Sequence, residues 1–455
     1  MVSVVNSKRR LTKVITDGDK STMTLEKSSI SITNKYSNVS ARSYALLLLM
    51  TVYSANFIDR QLLSILQEPI KIELNLSDGQ LGVLTGVSFA FFYVLAGIPI
   101  ARYADRGNRR NVIAYSVGVW SLMTAVSGAA LNYFHLLLAR IGVGIGEAGC
   151  SPPAHSIISD IFPPKKRASA IAFYSMGVNI GILFGFLFGG WLNEYFGWRV
   201  AFVVVGLPGI LLAVLVRTTL AEPIRGHHED KKLASSRVSF IDVLSLLWSR
   251  LSFRHMCFAA SLSAFAGNSS NSWTASFMMR SHGMSSGELG TWLAMIVGLG
   301  GAIGVLGGGL LADKLASRDR RWYLWLPAIA NLACVPFLVA VYSVDNAYTA
   351  LLLSVIPGLL FNVYLGTTIA TTQSLVGLRM RATASAILML IANIIGLGLG
   401  PLSVGILSDY LLPSYGTDSL KQAMLILLPF FMCWSSLHFY RGSIDLEHDL
   451  DAAPD

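Results

Sequence analysis

Twelve stretches of mostly apolar residues, each about twenty residues long or more, dominate the chain. They run over 44–66, 79–103, 111–131, 133–158, 168–190, 199–217, 254–279, 288–311, 322–343, 347–372, 381–406 and 421–440. A helix needs roughly 20 apolar residues to cross the hydrocarbon core of a bilayer. One water-soluble core cannot hide so much apolar sequence: 53% of the 455 residues are hydrophobic and 13% charged, against about 25% charged in a soluble domain. In lipid every backbone N–H and C=O has to find its partner within the protein, which leaves helices or closed barrels. The runs far exceed the length of barrel strands. The expected fold class is therefore an all-α polytopic membrane protein with twelve transmembrane helices.

The net charge of +9 raises nucleic acid as a partner, but the distribution of the charge argues against it. Of the 35 Lys and Arg, 29 fall in the two tails and in alternate loops, and four (Lys71, Arg199, Arg280 and Lys421) in the loops between. Arg60 and Arg140 lie inside spans. Such a split follows the positive-inside rule with both termini cytoplasmic, so the basic balance reports topology. Residues 1–43 read as a disordered basic cytoplasmic tail without the apolar core of a cleavable signal peptide. The four cysteines, Cys150, Cys257, Cys334 and Cys433, lie far apart in apolar runs and show no metal or redox spacing. No cofactor or metal is expected.

A hydrophilic stretch, 219–253, divides the chain into six-span halves at 44–218 and 254–440, with a short cytoplasmic tail at 441–455. The halves echo one another. After the second span the sequence reads Ala101-Arg-Tyr-Ala-Asp105-Arg106-Gly-Asn-Arg109-Arg110, and after the eighth Gly309-Leu-Leu-Ala-Asp313-Lys314-Leu-Ala-Ser-Arg318. Gly177, Gly181, Gly185 and Gly189 form a small-residue stripe along the fifth span, suited to close helix packing. The eleventh span carries Gly396, Gly398, Gly400 and Pro401.

A charge at bilayer depth is costly and normally faces a cavity or marks function. Four ionisable residues meet that description: Asp59 and Arg60 in the first span, Arg140 and Glu147 in the fourth. Arg140 and Glu147 share a helix face, about 10.5 Å apart along the axis. By rise per residue, Asp59 and Arg140 come to nearly the same depth, so an Asp59–Arg140 contact is expected, with Arg60 nearby and Glu147 alone near mid-membrane. A carboxylate beside an arginine stays ionised, whereas a desolvated, unpaired one takes up a proton more readily. Glu147 therefore reads as the proton carrier and Asp59 as an ion-pair gate. Pro152-Pro153 should bend the fourth helix. The second half offers neutral polar groups instead: Asn268 and Asn271 on one face of the seventh span, Tyr364 and Thr368 in the tenth. Charged walls facing amide and hydroxyl walls suit an amphiphile with a charged head and a long apolar body. Gly144-Ile-Gly146-Glu-Ala-Gly149 is a literal G-x-G-x-x-G, but it lies inside a span with no strand before it and no acid near position 169, so a dinucleotide enzyme is excluded.

The loop motif resembles the signature of the major facilitator superfamily, with Ala101 and Asn108 where that pattern has glycine. Asn56-Phe-Ile-Asp59-Arg60, Arg140-x-x-x-Gly144-x-Gly146-Glu147-Ala148 and Asp105-Arg106-x-Asn108-Arg109-Arg110 together resemble the Spinster family within it. The resemblance implies the major facilitator fold, alternating access, and transport of a lysophospholipid or a substrate like sphingosine phosphate. It implies that Asp59, Arg60 and Arg140 couple or hold the substrate head, that Glu147 is the proton-linked acid, and that Asp105, Arg106, Arg110 and Asp313 gate. The lean loops suggest a bacterial member in the inner membrane, a monomer whose partners are protons, substrate and membrane lipids. The competing reading is a proton-coupled symporter of small organic or sugar acids, and a lesser one a receptor that binds without transporting.

Overall fold

The computed structural model describes residues 36, 38–225 and 239–454, and among them the chain is helical throughout, without strands. Six continuous helical stretches are long and apolar enough to cross a membrane, and two of them, Pro164–Thr219 and Arg381–Ile444, hold two crossings each. Val39–Leu74, Arg109–Ser127, the pair Tyr133–Glu147 and Ser151–Ile161, and Leu251–His282 supply the other four. The first and seventh carry charges or amides that lower their apolarity, and the fourth is divided into two helices of 15 and 11 residues. Within Pro164–Thr219 the fifth and sixth spans part at Gly197, whose φ of 79° and ψ of 163° are closed to residues with a side chain.

The sequence repeat is repeated in backbone form. A π-turn interrupts the second span at Val83–Val87 and its counterpart, the eighth, at Ala294–Leu299. The fourth span breaks between Glu147 and Ser151, and the tenth between Leu360 and Val363. In the fourth the cause lies in the sequence: Pro152 and Pro153 have no N–H to offer the carbonyls of Ala148 and Gly149. The chain instead tightens through bonds from Gly149 N to Gly146 O and from Cys150 N to Glu147 O, at 3.3 and 3.2 Å.

Glycine sets the closest approaches. A Cβ at Gly177 would come within 2.8 Å of Met50 O, and one at Gly185 within 2.8 Å of the Gln61 Cβ, so the fifth-span stripe lies directly on the first span. In the second half Gly400 approaches Ser269 and Phe265 of the seventh span in the same way. Between the halves, Gly82 and Gly86 of the second span meet the backbone of Leu402 and Gly398 in the eleventh. The glycines of the G-x-G-x-x-G run serve packing too: a Cβ at Gly146 would lie 2.7 Å from Trp120 N in the third span.

The connecting segments carry helices of their own. The divide at 219–253 holds the helix Phe240–Ser249, whose Val243 and Leu247 pack into the second half. The C-terminal tail is likewise helical, continuing to Ile444 and then over Leu446–Asp451, where Asp449 accepts bonds from Ser252 N and Oγ at 2.9 and 2.6 Å. Of the basic tail at 1–43, the helix Val39–Leu74 already claims the last residues. Residues 1–35 lie outside the described residues.

Candidate functional site

The four intramembrane charges do converge, but their pairing differs from the expectation. Arg60 Nε donates to Glu147 Oε2 at 2.8 Å, so Glu147 does not stand alone, and no Asp59–Arg140 ion pair forms among the described residues. Asp59 instead accepts from Thr124 Oγ1 of the third span at 3.1 Å. Depth alone misled because side chains lean toward the N-terminus of their own helix. The first span runs away from the basic face, so Asp59 and Arg60 lean back toward it. The fourth runs the other way, so Arg140 and Glu147 lean toward the charge-poor face. Residues at matching depth therefore diverge, and Arg60 reaches down to meet a Glu147 that reaches up.

The pair sits in an unequal environment. The Glu147 side chain is fully buried, whereas that of Arg60 keeps 21% of its surface. The Arg60 guanidinium lies over Phe57, Phe89 and Tyr93, with ring centroids at 4.8, 4.5 and 5.4 Å. Cation–π contacts of this kind hold a guanidinium without neutralising it. Glu147 Oε1 is buried without a hydrogen-bond partner. Arg140 Nε and Nη1 are likewise buried and unpartnered, with the Phe89 ring centroid at 5.8 Å.

The neutral residues of the second half divide. Asn271 Nδ2 donates across to Gln61 Oε1 of the first span at 2.9 Å, and Asn268 Nδ2 to its own helix at Ala264 O at 2.8 Å. Thr368 is buried with its hydroxyl on Tyr364 O at 2.8 Å, so that hydroxyl serves its own helix. Tyr364 remains partly exposed.

The model of the Major Facilitator Superfamily matches residues 49–401. The chain belongs to the major facilitator superfamily. An efflux pump of this superfamily from Mycolicibacterium smegmatis is 34% identical over 406 residues, covering 88% of this chain and 92% of that protein. The sphingosine-1-phosphate transporter of Danio rerio is 25% identical, covering 88% and 83%. A probable galactarate/D-glucarate transporter of Bacillus subtilis is 32% identical over 206 residues, 44% of this chain and 45% of that one. Among solved structures, a bacterial homologue of the human lysosomal transporter Spinster, in an inward-facing and unoccupied conformation, is 34% identical with a TM-score of 0.79, covering 90% and 97%. The chain is thus a Spinster-type member of the superfamily, an integral membrane transporter and not an enzyme.

Bonds between the two halves close the charge-poor face. The bonds joining the halves run from Gln61–Asn271 through Gln67–Ser276 to a cluster at the ends of the spans. There Arg280 of the seventh span donates to Glu68 of the first at 2.6 Å and to both oxygens of Asp78 at 2.7 and 2.6 Å. Lys71 and Ser408 complete the shell of Asp78, each at 2.6 Å, and Asp409 accepts from the Asp78 and Gly79 amides at 2.9 and 2.7 Å. Sequence reasoning missed this latch, having read Lys71 and Arg280 as loop charges. The signal available was Asp78 at the helix start beside those two cations.

At the basic face the proposed gating residues do not meet across the halves. Asp105 offers its backbone carbonyl to Arg225, which also reaches Ala104 O and Gly107 O. Arg106 is exposed. Arg110 bonds to Glu222 through its backbone N at 2.9 Å, and Asp313 accepts from Tyr323 at 2.9 Å. The residue that organises the first loop is Arg109, 2% exposed, paired with Asp160 at 2.5 Å and Glu222 at 2.7 Å. Its counterpart is Arg321, paired with Glu447 at 2.9 Å in a more exposed setting. In both halves the segment leaving the sixth helix straps the loop that enters the third. Tyr36 joins the first strap through Ala221, and burial pushes its phenol up to about 12.

Proposed function

We propose that this transporter is proton-coupled and moves an amphiphilic organic or lipid substrate with an anionic head, of lysophospholipid or sphingosine-phosphate type, by alternating access. The observation carrying the reading is the Arg60–Glu147 pair: a buried carboxylate against a cation that keeps an open edge and three aromatic rings. Breaking a buried ion pair costs about 3–5 kcal/mol because one charge is left uncompensated. An anionic head that takes Arg60 therefore forces Glu147 to accept a proton, and release of the head restores the pair. Each passage then couples one anionic group to one proton on Glu147. Asp59, beside Thr124, is the second titrating candidate, and Arg140 stands ready to extend the head site. The apolar body would lie toward Asn268, Asn271, Tyr364 and Thr368, with Asp105, Arg106, Arg110 and Asp313 shaping closure of the basic, cytoplasmic face.

The test is flux of a labelled lysophospholipid into proteoliposomes with and without an imposed pH gradient. Gradient-dependent flux that Glu147→Gln uncouples supports the reading. Flux by Glu147→Gln with the proton dependence intact would sink it. A second reading, symport of small organic or sugar acids, draws on Arg140: two arginines in one half could seat a dicarboxylate. Gradient-driven flux of labelled galactarate that lysophospholipid does not inhibit would favour it.

A further inference from the structure

The helix Phe240–Ser249 has two apolar faces. Val243 and Leu247 are buried against the second half. Ile241, Leu244, Ser245 and Trp248, spaced as one stripe at i, i+3, i+4 and i+7, instead line a cleft of about 560 Å³ with Ser249 and Arg254. Ile241 is 72% and Trp248 40% exposed, and among the described residues no other segment covers them. Trp248 meets Phe258, one turn into the seventh span, edge-on at 6.2 Å, so the apolar wall continues toward the membrane interior.

Arg254 fixes the chemistry at the end of the cleft. Its Nε donates to the Trp248 carbonyl, which pins the guanidinium where the helix ends. Both Nη groups are left without an acceptor among the described residues, and Arg254 enters no ion pair there. A stripe that merely faces lipid tails needs no cation. A fixed guanidinium with two donors open, beside an apolar trough at the mouth of a span, matches a phosphate ester joined to an acyl chain.

We propose that this cleft binds one anionic phospholipid, its phosphate on the Arg254 Nη groups and an acyl chain along Ile241, Leu244 and Trp248. The site is separate from the Arg60–Glu147 pair and stands whatever that pair transports. Binding would fasten the connecting helix to the second half from the lipid side.

The experiment is thermal melting of the purified full-length chain in detergent with dioleoyl-phosphatidylglycerol, dioleoyl-phosphatidylcholine or glycerol 3-phosphate added. Phosphatidylglycerol should raise the melting temperature saturably, and the other two should not. Arg254→Gln should weaken half-saturation roughly tenfold, about what loss of a charge-assisted phosphate contact costs. Ile241→Asn, at a surface position that cannot disturb the core, should weaken it as well. Equal shifts with both lipids, an undiminished phosphatidylglycerol shift in both variants, or a shift reproduced by glycerol 3-phosphate would each overturn the proposal.

Discussion

Replacing Arg280 with glutamine should unlatch the charge-poor face. In the closed state this side chain makes three charge-assisted contacts across the halves, one to Glu68 and two to Asp78. Asp78 would keep Lys71 and Ser408. Glu68, whose side chain is 13% exposed, would lose the cation it is paired with, and breaking a largely buried pair costs about 3 kcal/mol. In the open state water reaches both acids and that penalty vanishes, so the loss falls on the closed form. Taking about 3 kcal/mol, at 1.4 kcal/mol per tenfold, the equilibrium shifts roughly 100-fold toward opening. The readout is Ser276→Cys, one turn below the latch and 1% exposed when closed, in a background where the exposed Cys433 is serine. A membrane-impermeant maleimide applied from the charge-poor side should label it far faster in Arg280→Gln than in the parent. Arg280→Lys, which keeps the charge without the planar fork, should fall between. Equal labelling rates in a well-folded Arg280→Gln protein would refute the latch.

Other outcomes follow from the same geometry. Arg60→Gln should abolish coupled flux and lower the melting temperature, and Arg60→Gln with Glu147→Gln should recover much of the stability, because a neutral pair leaves no uncompensated charge; a double variant no more stable than the single one would contradict this. Arg109→Gln should destabilise by about 3–5 kcal/mol while Arg321→Gln, at an exposed pair, should cost under about 1 kcal/mol, which denaturation in detergent can compare directly. Gly185→Val should cost about 1–3 kcal/mol by overpacking against Gln61 and Ile58, whereas Gly366→Ala, with nothing within 4 Å of the added Cβ, should melt close to the parent.

Much was legible in the chain because lipid leaves few choices. Run length gave the spans. The recurring Asp105 and Asp313 loops exposed the repeat, and the fifth-span glycines named a helix contact that the first span fills. These are local or periodic properties, and the bilayer converts each into geometry without knowledge of the neighbours. The resemblance carried by Asp59, Arg60, Arg140 and Glu147 pointed to the family, and two of those residues, Arg60 and Glu147, pair in the structure.

Partner choice was of another kind. Rise per residue placed Asp59 level with Arg140, yet whether two side chains meet depends also on azimuth and on the direction in which each helix runs. Opposed lean carried Arg60 to Glu147, left Arg140 unpartnered, and turned Asp59 to Thr124. The latch on Asp78 joins residues more than 200 positions apart, and no periodicity records such a meeting. The sequence by itself determined which groups had to be inside the membrane; the packing of antiparallel helices decided which of them could touch.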